Sequence, residues 1–138
     1  MKKEHVAELL SLGPNLFSTD PDDPSPYSQR GFEVSDGWFH LLKDLVTGLE
    51  EILASSPDEV RTKIRCSQVK EKFGGLRFYF HGPFSEIQDR AGPLVTAAED
   101  SAWKTCQECG SAGDCRSVGG WMSVLCDNHL AELQKRRR

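Results

Sequence analysis

The sequence predicts an α+β protein in which helices pack on a β-hairpin and a small Cys/His-bearing module closes the chain. Apolar residues recur every three or four positions from 36 to 54, which paints one face of a helix. β-Branched and aromatic residues alternate with polar ones from 61 to 81, which fits paired strands. Two pairs of metal-type ligands, each pair separated by two residues, fall between 106 and 129.

At 138 residues the chain has the length of one ordinary domain. We divide it into an N-terminal helix with a Pro-rich loop (1–35), an α+β core (36–103) and a C-terminal module (104–138). Hydrophobic residues make up 38% of the chain and charged residues 28%, a balance that packs a core and excludes disordered and collagenous classes. No apolar run approaches the roughly 20 residues of a bilayer-spanning helix, and the start lacks the apolar centre of a signal peptide. The expectation is a cytoplasmic protein without a membrane partner.

Within 1–35, Val6, Leu9 and Leu10 lie at helical spacing, and Gly13-Pro14 ends the pattern. Residues 18–30 are dense in Ser, Asp and Pro and read as a surface loop. The helix of 36–54 carries Trp38, Leu41, Leu42, Leu45, Val46, Leu49, Ile52 and Leu53 on one face, with Ser35 or Asp36 as its N-cap. Its stripe is core, and it is expected to receive one face of the hairpin. In 61–81, Thr62, Ile64, Cys66 and Val69 form one strand and Leu76, Phe78 and Phe80 the other. Gly74-Gly75 supplies the positive backbone angles of the connection, and the broken alternation around Gln68 predicts a bulge or an uncertain register. Phe84, Ile87, Ala91, Leu94, Ala98 and Ala102 return to helical spacing, with Gly92-Pro93 predicting a kink or a break into two helices.

The chemistry-bearing motif follows. Cys106-Gln107-Glu108-Cys109-Gly110 sets two thiols on one tight turn, and Cys126-Asp127-Asn128-His129 repeats the spacing at the start of a helix through Leu130 and Leu133. Residues 111–125, with Gly113, Gly119-Gly120 and the apolar run 121–125, suffice for a hairpin between them. Knuckle, hairpin and ligand-bearing helix start together resemble a treble-clef zinc finger. Two ligand pairs within about twenty residues favour metal over redox chemistry. Three thiolates and one imidazole suit tetrahedral Zn²⁺, and four protein ligands leave no position for a reactive water. Such an ion is structural. Cys115 stands as an alternative to His129; the mirrored spacing favours His129.

Elsewhere, Lys70 to Phe80 mixes basic and aromatic residues, and outward-pointing Lys70, Lys72, Arg77 and Tyr79 are candidate partner contacts. Aromatics on a strand are more often buried packing, which makes base stacking the lesser reading. The basic end, including Arg136 and Arg137, offsets the helix dipole and offers salt-sensitive phosphate contacts. Cys66 reads as a buried small hydrophobe, and His5, His40 and His81 are scattered, so no catalytic residue is assigned. Residues 1–60 hold 4 basic against 12 acidic side chains, net −8, and residues 61–138 hold 13 against 9, net +4. Such segregation arises readily from solvated surface charge, and it also fits a basic face for an acidic partner.

The combination of Asp36-Gly37-Trp38, the block from Gln68 to Tyr79 around Lys72-Phe73-Gly74-Gly75-Leu76-Arg77, Cys106-x-x-Cys109-Gly110, Gly119-Gly120-Trp121 and Leu125-Cys126-x-x-His129 resembles a group of small uncharacterised proteins of bacteria and their phages. The resemblance spans roughly residues 36–130 and implies a domain type and a phage or prophage setting, with no activity attached. That setting implies binding that disables host machinery, including CRISPR complexes.

The first expectation is therefore a non-enzymatic, zinc-stabilised interaction protein with a protein partner, inhibiting a bacterial defence complex. The alternative is a nucleic-acid-binding zinc-finger module that uses the basic half. A nuclease-like enzyme ranks last, because treble-clef nucleases need additional His or Asp/Asn around an open metal site.

Overall fold

The computed structural model describes residues 1–17 and 31–137, so the Pro-rich loop expected at 18–30 lies outside the described residues. The class is α+β. Helix α1 (Lys3–Leu12) ends at Gly13, whose amide bonds back to the Leu9 carbonyl at 3.2 Å, as the Gly-Pro pair predicts. Asn15 then fixes the following turn by donating its side-chain amide to Glu50 at 2.5 Å.

A short strand β1 (Phe32–Glu33) leads into a 3₁₀ turn at Asp36–Trp38 and helix α2 (Phe39–Ala54). The expected cap at the head of this helix does not form. Ser35 makes no side-chain cap bond. Asp36 turns away to accept the Lys2 amide at 2.7 Å and to face His5 Nδ1 at 2.9 Å. His5 stacks on Phe39 with ring centroids 3.9 Å apart, so the side chain expected to cap α2 instead anchors α1 to it.

The one-turn helix α3 (Asp58–Arg61) replaces the first residues assigned to the strand. The Ile64 amide still bonds to the Val60 carbonyl at 3.2 Å, and β2 (Arg65–Lys72) begins only after it. Strand β3 (Gly75–His81) pairs antiparallel with β2, and a register shift between Cys66 and Gln68 is the bulge that the alternation predicts. The two positive φ angles at the connection belong to Phe73 (54°) and Gly74 (90°), not to Gly74 and Gly75 as expected. Lys72 pairs with Gly75, so the loop is two residues long and both must be left-handed to match the twist of the strands. Parallel pairing of β1 with β2 completes a sheet of order β1-β2-β3, which the sequence does not announce because β1 has only two residues.

Phe84–Glu86 forms a 3₁₀ turn, and helix α4 (Gln88–Ala102) then runs unbroken through Gly92 and Pro93. Proline here removes one ladder bond near the helix start without dividing it. Helix α4 is the one that lies along β3, and α2 packs chiefly on α4 and α1, which corrects the expected seating of the hairpin on α2. Trp38, Leu42, Val46, Leu49, Leu53, Ile64, Cys66, Val69, Ala91 and Ala102 are fully buried between these elements.

Strands β4 (Asp114–Val118) and β5 (Trp121–Leu125) form an antiparallel hairpin, and helix α5 (Asp127–Arg136) follows. Among the described residues, no helix is long and apolar enough to cross a membrane.

Candidate functional site

The turn before β4 is built by backbone hydrogen bonds that curl residues 106–110 into a knuckle. The Cys106 amide bonds to the Ser111 carbonyl at 2.7 Å and the Gly110 amide to the Cys106 carbonyl at 2.9 Å. Gly110 has φ 82°, the left-handed angle that lets the chain double back and aims both sulfurs to one side. The Gln107 amide reaches the Val124 carbonyl at 2.9 Å and thereby holds the knuckle against β5. Cys126 is the N-cap of α5, whose first turn carries His129, as the spacing predicts.

These features gather the ligand atoms of Cys106, Cys109, Cys126 and His129 within 4.8 Å of one another. Cys126 Sγ lies 3.2 Å and Cys106 Sγ 3.7 Å from His129 Nδ1, and Cys109 Sγ lies 3.9 Å from Cys126 Sγ. Ligands about 2.0–2.3 Å from a central Zn²⁺ form a tetrahedron with edges of about 3.3–3.8 Å. The donor set therefore fits a four-coordinate ion with small inward rotations. Nδ1 is the nitrogen turned to the sulfurs, and Nε2 faces the Glu132 carboxylate at 3.9 Å, a partner able to fix the ring.

The local fields differ among the thiols. The His129 amide at the start of α5, and then its imidazole, pull the Cys126 thiol down to about 6. The Ser111 hydroxyl, 2.8 Å from Cys109 Sγ, lowers the Cys109 thiol. Burial raises Cys106. The Cys126 sulfur raises His129. Cys115 does not join the cluster. It lies on β4, and a Cβ at Gly74 of the β2–β3 turn would meet its sulfur at 3.2 Å. The rivalry between Cys115 and His129 goes to His129 on geometry.

The knuckle also touches the core. The Gly37 amide bonds to the Gln107 carbonyl at 2.9 Å and the Trp38 indole N–H to the Thr105 carbonyl at 2.9 Å. A Cβ at Gly37 would run into the Cys106 carbonyl oxygen, so glycine alone fits. Asp36-Gly37-Trp38 and Cys106-x-x-Cys109-Gly110, distant in sequence, are the two halves of one joint.

Strand register decides where the other candidates lie. Gln68 faces Tyr79, and Lys70 faces Arg77 across the ladder, so these side chains share the sheet face opposite to buried Val69 and Phe78. Lys70 Nζ sits 5.7 Å from the Tyr79 ring centre. Arg77 is half-buried, and its Nε is buried without a partner among the described residues. Lys72 Nζ lies 5.7 Å from the ring of Phe73. Arg136 and Arg137 are exposed at the end of α5, and Arg137 rests on Gly119 of the β4–β5 turn.

Sequence reasoning missed four side chains on this side of the molecule. Phe73, Trp121, Met122 and Trp103 are large and exposed, Phe73 at 69% and Trp121 at 68%. Phe73 and Trp121-Met122, together with Glu71, Lys72 and Gly120, line a cleft of 380 Å³ between the two hairpin turns. A Cβ at Gly75 would strike the Trp103 ring at 2.7 Å, which places the indole over the end of the basic sheet face. The only advance signal was their position beside glycine turns or at a helix end.

Comparison with known proteins adds no relative: no protein-family model, curated protein or solved structure matches the chain.

Proposed function

We propose that the chain is a non-catalytic, zinc-stabilised binding module whose treble-clef-like end presents a recognition surface. The observation that carries this reading is the convergence of three thiols and one imidazole in a set that fills a tetrahedron by itself. A zinc ion held there would supply folding energy and no open coordination position for substrate. The need for it is local: the buried apolar side chains of the hairpin are Val118, Val124 and Leu125, too few to order residues 104–136 unaided. The knuckle's bonds to Gly37 and Trp38 would then transmit that order to the rest of the fold.

Zinc content tests the reading. Protein purified without added metal is expected to hold one zinc per chain. Replacement by Co²⁺ is expected to give the thiolate charge-transfer and tetrahedral visible bands of a three-sulfur site. Metal-free protein with an unchanged melting curve overturns it.

The finer form rests on the resemblance to bacterial and phage proteins: a protein partner in a bacterial defence complex, met in the bacterial cytoplasm. Affinity capture from a bacterial lysate at low and high salt tests it, and the absence of any protein partner counts against it. A nuclease reading has less support, because His129 is taken as a ligand and no second histidine joins the cluster among the described residues. A nucleic-acid partner gains a specific observation, the cations and rings gathered around the two hairpin turns.

A further inference from the structure

Exposed aromatic rings are unusual where nothing covers them, and Phe73 has a second peculiarity. It holds φ 54°, a left-handed angle that disfavours a side chain with a Cβ and suits Asn or Gly. Packing does not explain the choice, since 69% of the residue is in water. A residue that is both strained and exposed points to a task at the surface.

The surroundings say which task. Lys72 approaches the Phe73 ring from one side of the cleft, and Arg137 lies on Gly119 at the other. Behind Lys72 the sheet face continues through Arg77, with Trp103 over Gly75 between them. None of these cations is ion-paired among the described residues, whereas Arg116 nearby is held by Asp127 at 2.8 Å. The one carboxylate of the cleft, Glu71, is turned to the Gly74 amide at 2.5 Å. Rings thus alternate with cations that make no ion pair among the described residues. Single-stranded nucleic acid meets this alternation directly, bases lying on rings and phosphates meeting cations.

We propose that this surface binds single-stranded nucleic acid, with bases stacked on Phe73, Trp121 and Trp103 and phosphates held by Lys72, Arg77 and Arg137. The proposal deepens the binding-module reading and rests on it, because zinc fixes the hairpin that carries Trp121.

The test is fluorescence anisotropy of labelled dT20 and U20 with the full zinc-loaded chain, beside a duplex of the same length and a labelled peptide of alternating Glu and Trp. Saturable binding of the single strands is expected. It should fall roughly 20-fold between 50 and 200 mM salt for about three phosphate contacts. Trp121→Ala and Phe73→Asn are each expected to weaken binding roughly 10-fold or more. Both sites are exposed, so zinc content and melting are expected to show both variants folded. The proposal is overturned by no single-strand binding at 50 mM salt, by equal affinity for duplex, by binding of the peptide alone, or by indifference to both substitutions. A folded, zinc-loaded chain that ignores the oligonucleotides removes this inference only; a chain whose melting curve is unchanged without zinc removes the proposed function beneath it.

Discussion

Gly37 donates its amide to the carbonyl of Gln107 at 2.9 Å, and this bond joins the entrance of α2 to the knuckle that carries Cys106 and Cys109. The adjacent Trp38 is fully buried and adds its indole N–H to the Thr105 carbonyl. Core and Cys/His cluster are thus fastened at one place, by a glycine that permits backbone contact and a tryptophan that combines apolar burial with one donor.

Gly37→Ala drives a methyl group into the Cys106 carbonyl and breaks the amide bond beside it. We expect a loss of about 2–4 kcal/mol from overpacking and the missing hydrogen bond together. Trp38→Phe leaves the Thr105 carbonyl without its donor at a smaller cost of about 1–3 kcal/mol. Urea unfolding measures both, and equal stability of Gly37→Ala and wild type would refute the joint.

Removing the metal should loosen one end of the molecule first. The buried core of Leu42, Val46, Leu49 and Val69 does not include the β4–β5 hairpin, whose buried apolar side chains are few. With a chelator present, hydrogen exchange is expected to accelerate across 106–136 while α2 stays protected. Uniform loss of protection along the chain would show instead that the metal supports the whole fold directly.

Thiol alkylation separates the rival ligand sets. Burial pushes the Cys66 thiol up, so it stays protonated and slow with or without the metal. Zinc is expected to protect Cys106, Cys109 and Cys126 and to leave exposed Cys115 open to the reagent. Peptide mapping by mass spectrometry reads the pattern, and zinc protection of Cys115 would return it to the ligand set.

The Cys/His cluster was legible because its determinants are local: two tight Cys/His pairs bracket a hairpin, and each pair needs only its own turn to converge. The α2 stripe and the bulge near Gln68 were legible for the same reason, since period and its interruption lie within one element. What escaped depends on distant partners. Asp36 was available as a helix cap until His5 and the Lys2 amide claimed it. Pairing of β1 depends on Val69 and Lys70 across the sheet. Trp121 looks like core in a sequence, yet it is exposed beside the β2–β3 turn.

The Phe73 position allows a stability prediction of unusual sign. Lys72 to Gly75 is a two-residue connection with positive φ at both central residues, for which Asn-Gly is the preferred pair. Holding a side chain such as Phe in the left-handed region costs about 1–2 kcal/mol, much of which Asn avoids through its own local hydrogen bonds. Against this stands the contact of Lys72 with the ring, about 0.5–1 kcal/mol at an exposed site. The strain is the larger quantity, so Phe73→Asn is expected to stabilise the protein by about 0.5–1 kcal/mol, a rise of about 2–4 °C in melting temperature. Gly74→Ala should do the opposite, since φ 90° is strained for alanine and its Cβ would press on Cys115 Sγ at 3.2 Å. A lower melting temperature for Phe73→Asn would mean that the ring is held by packing, and the argument that its exposure serves binding would fail with it.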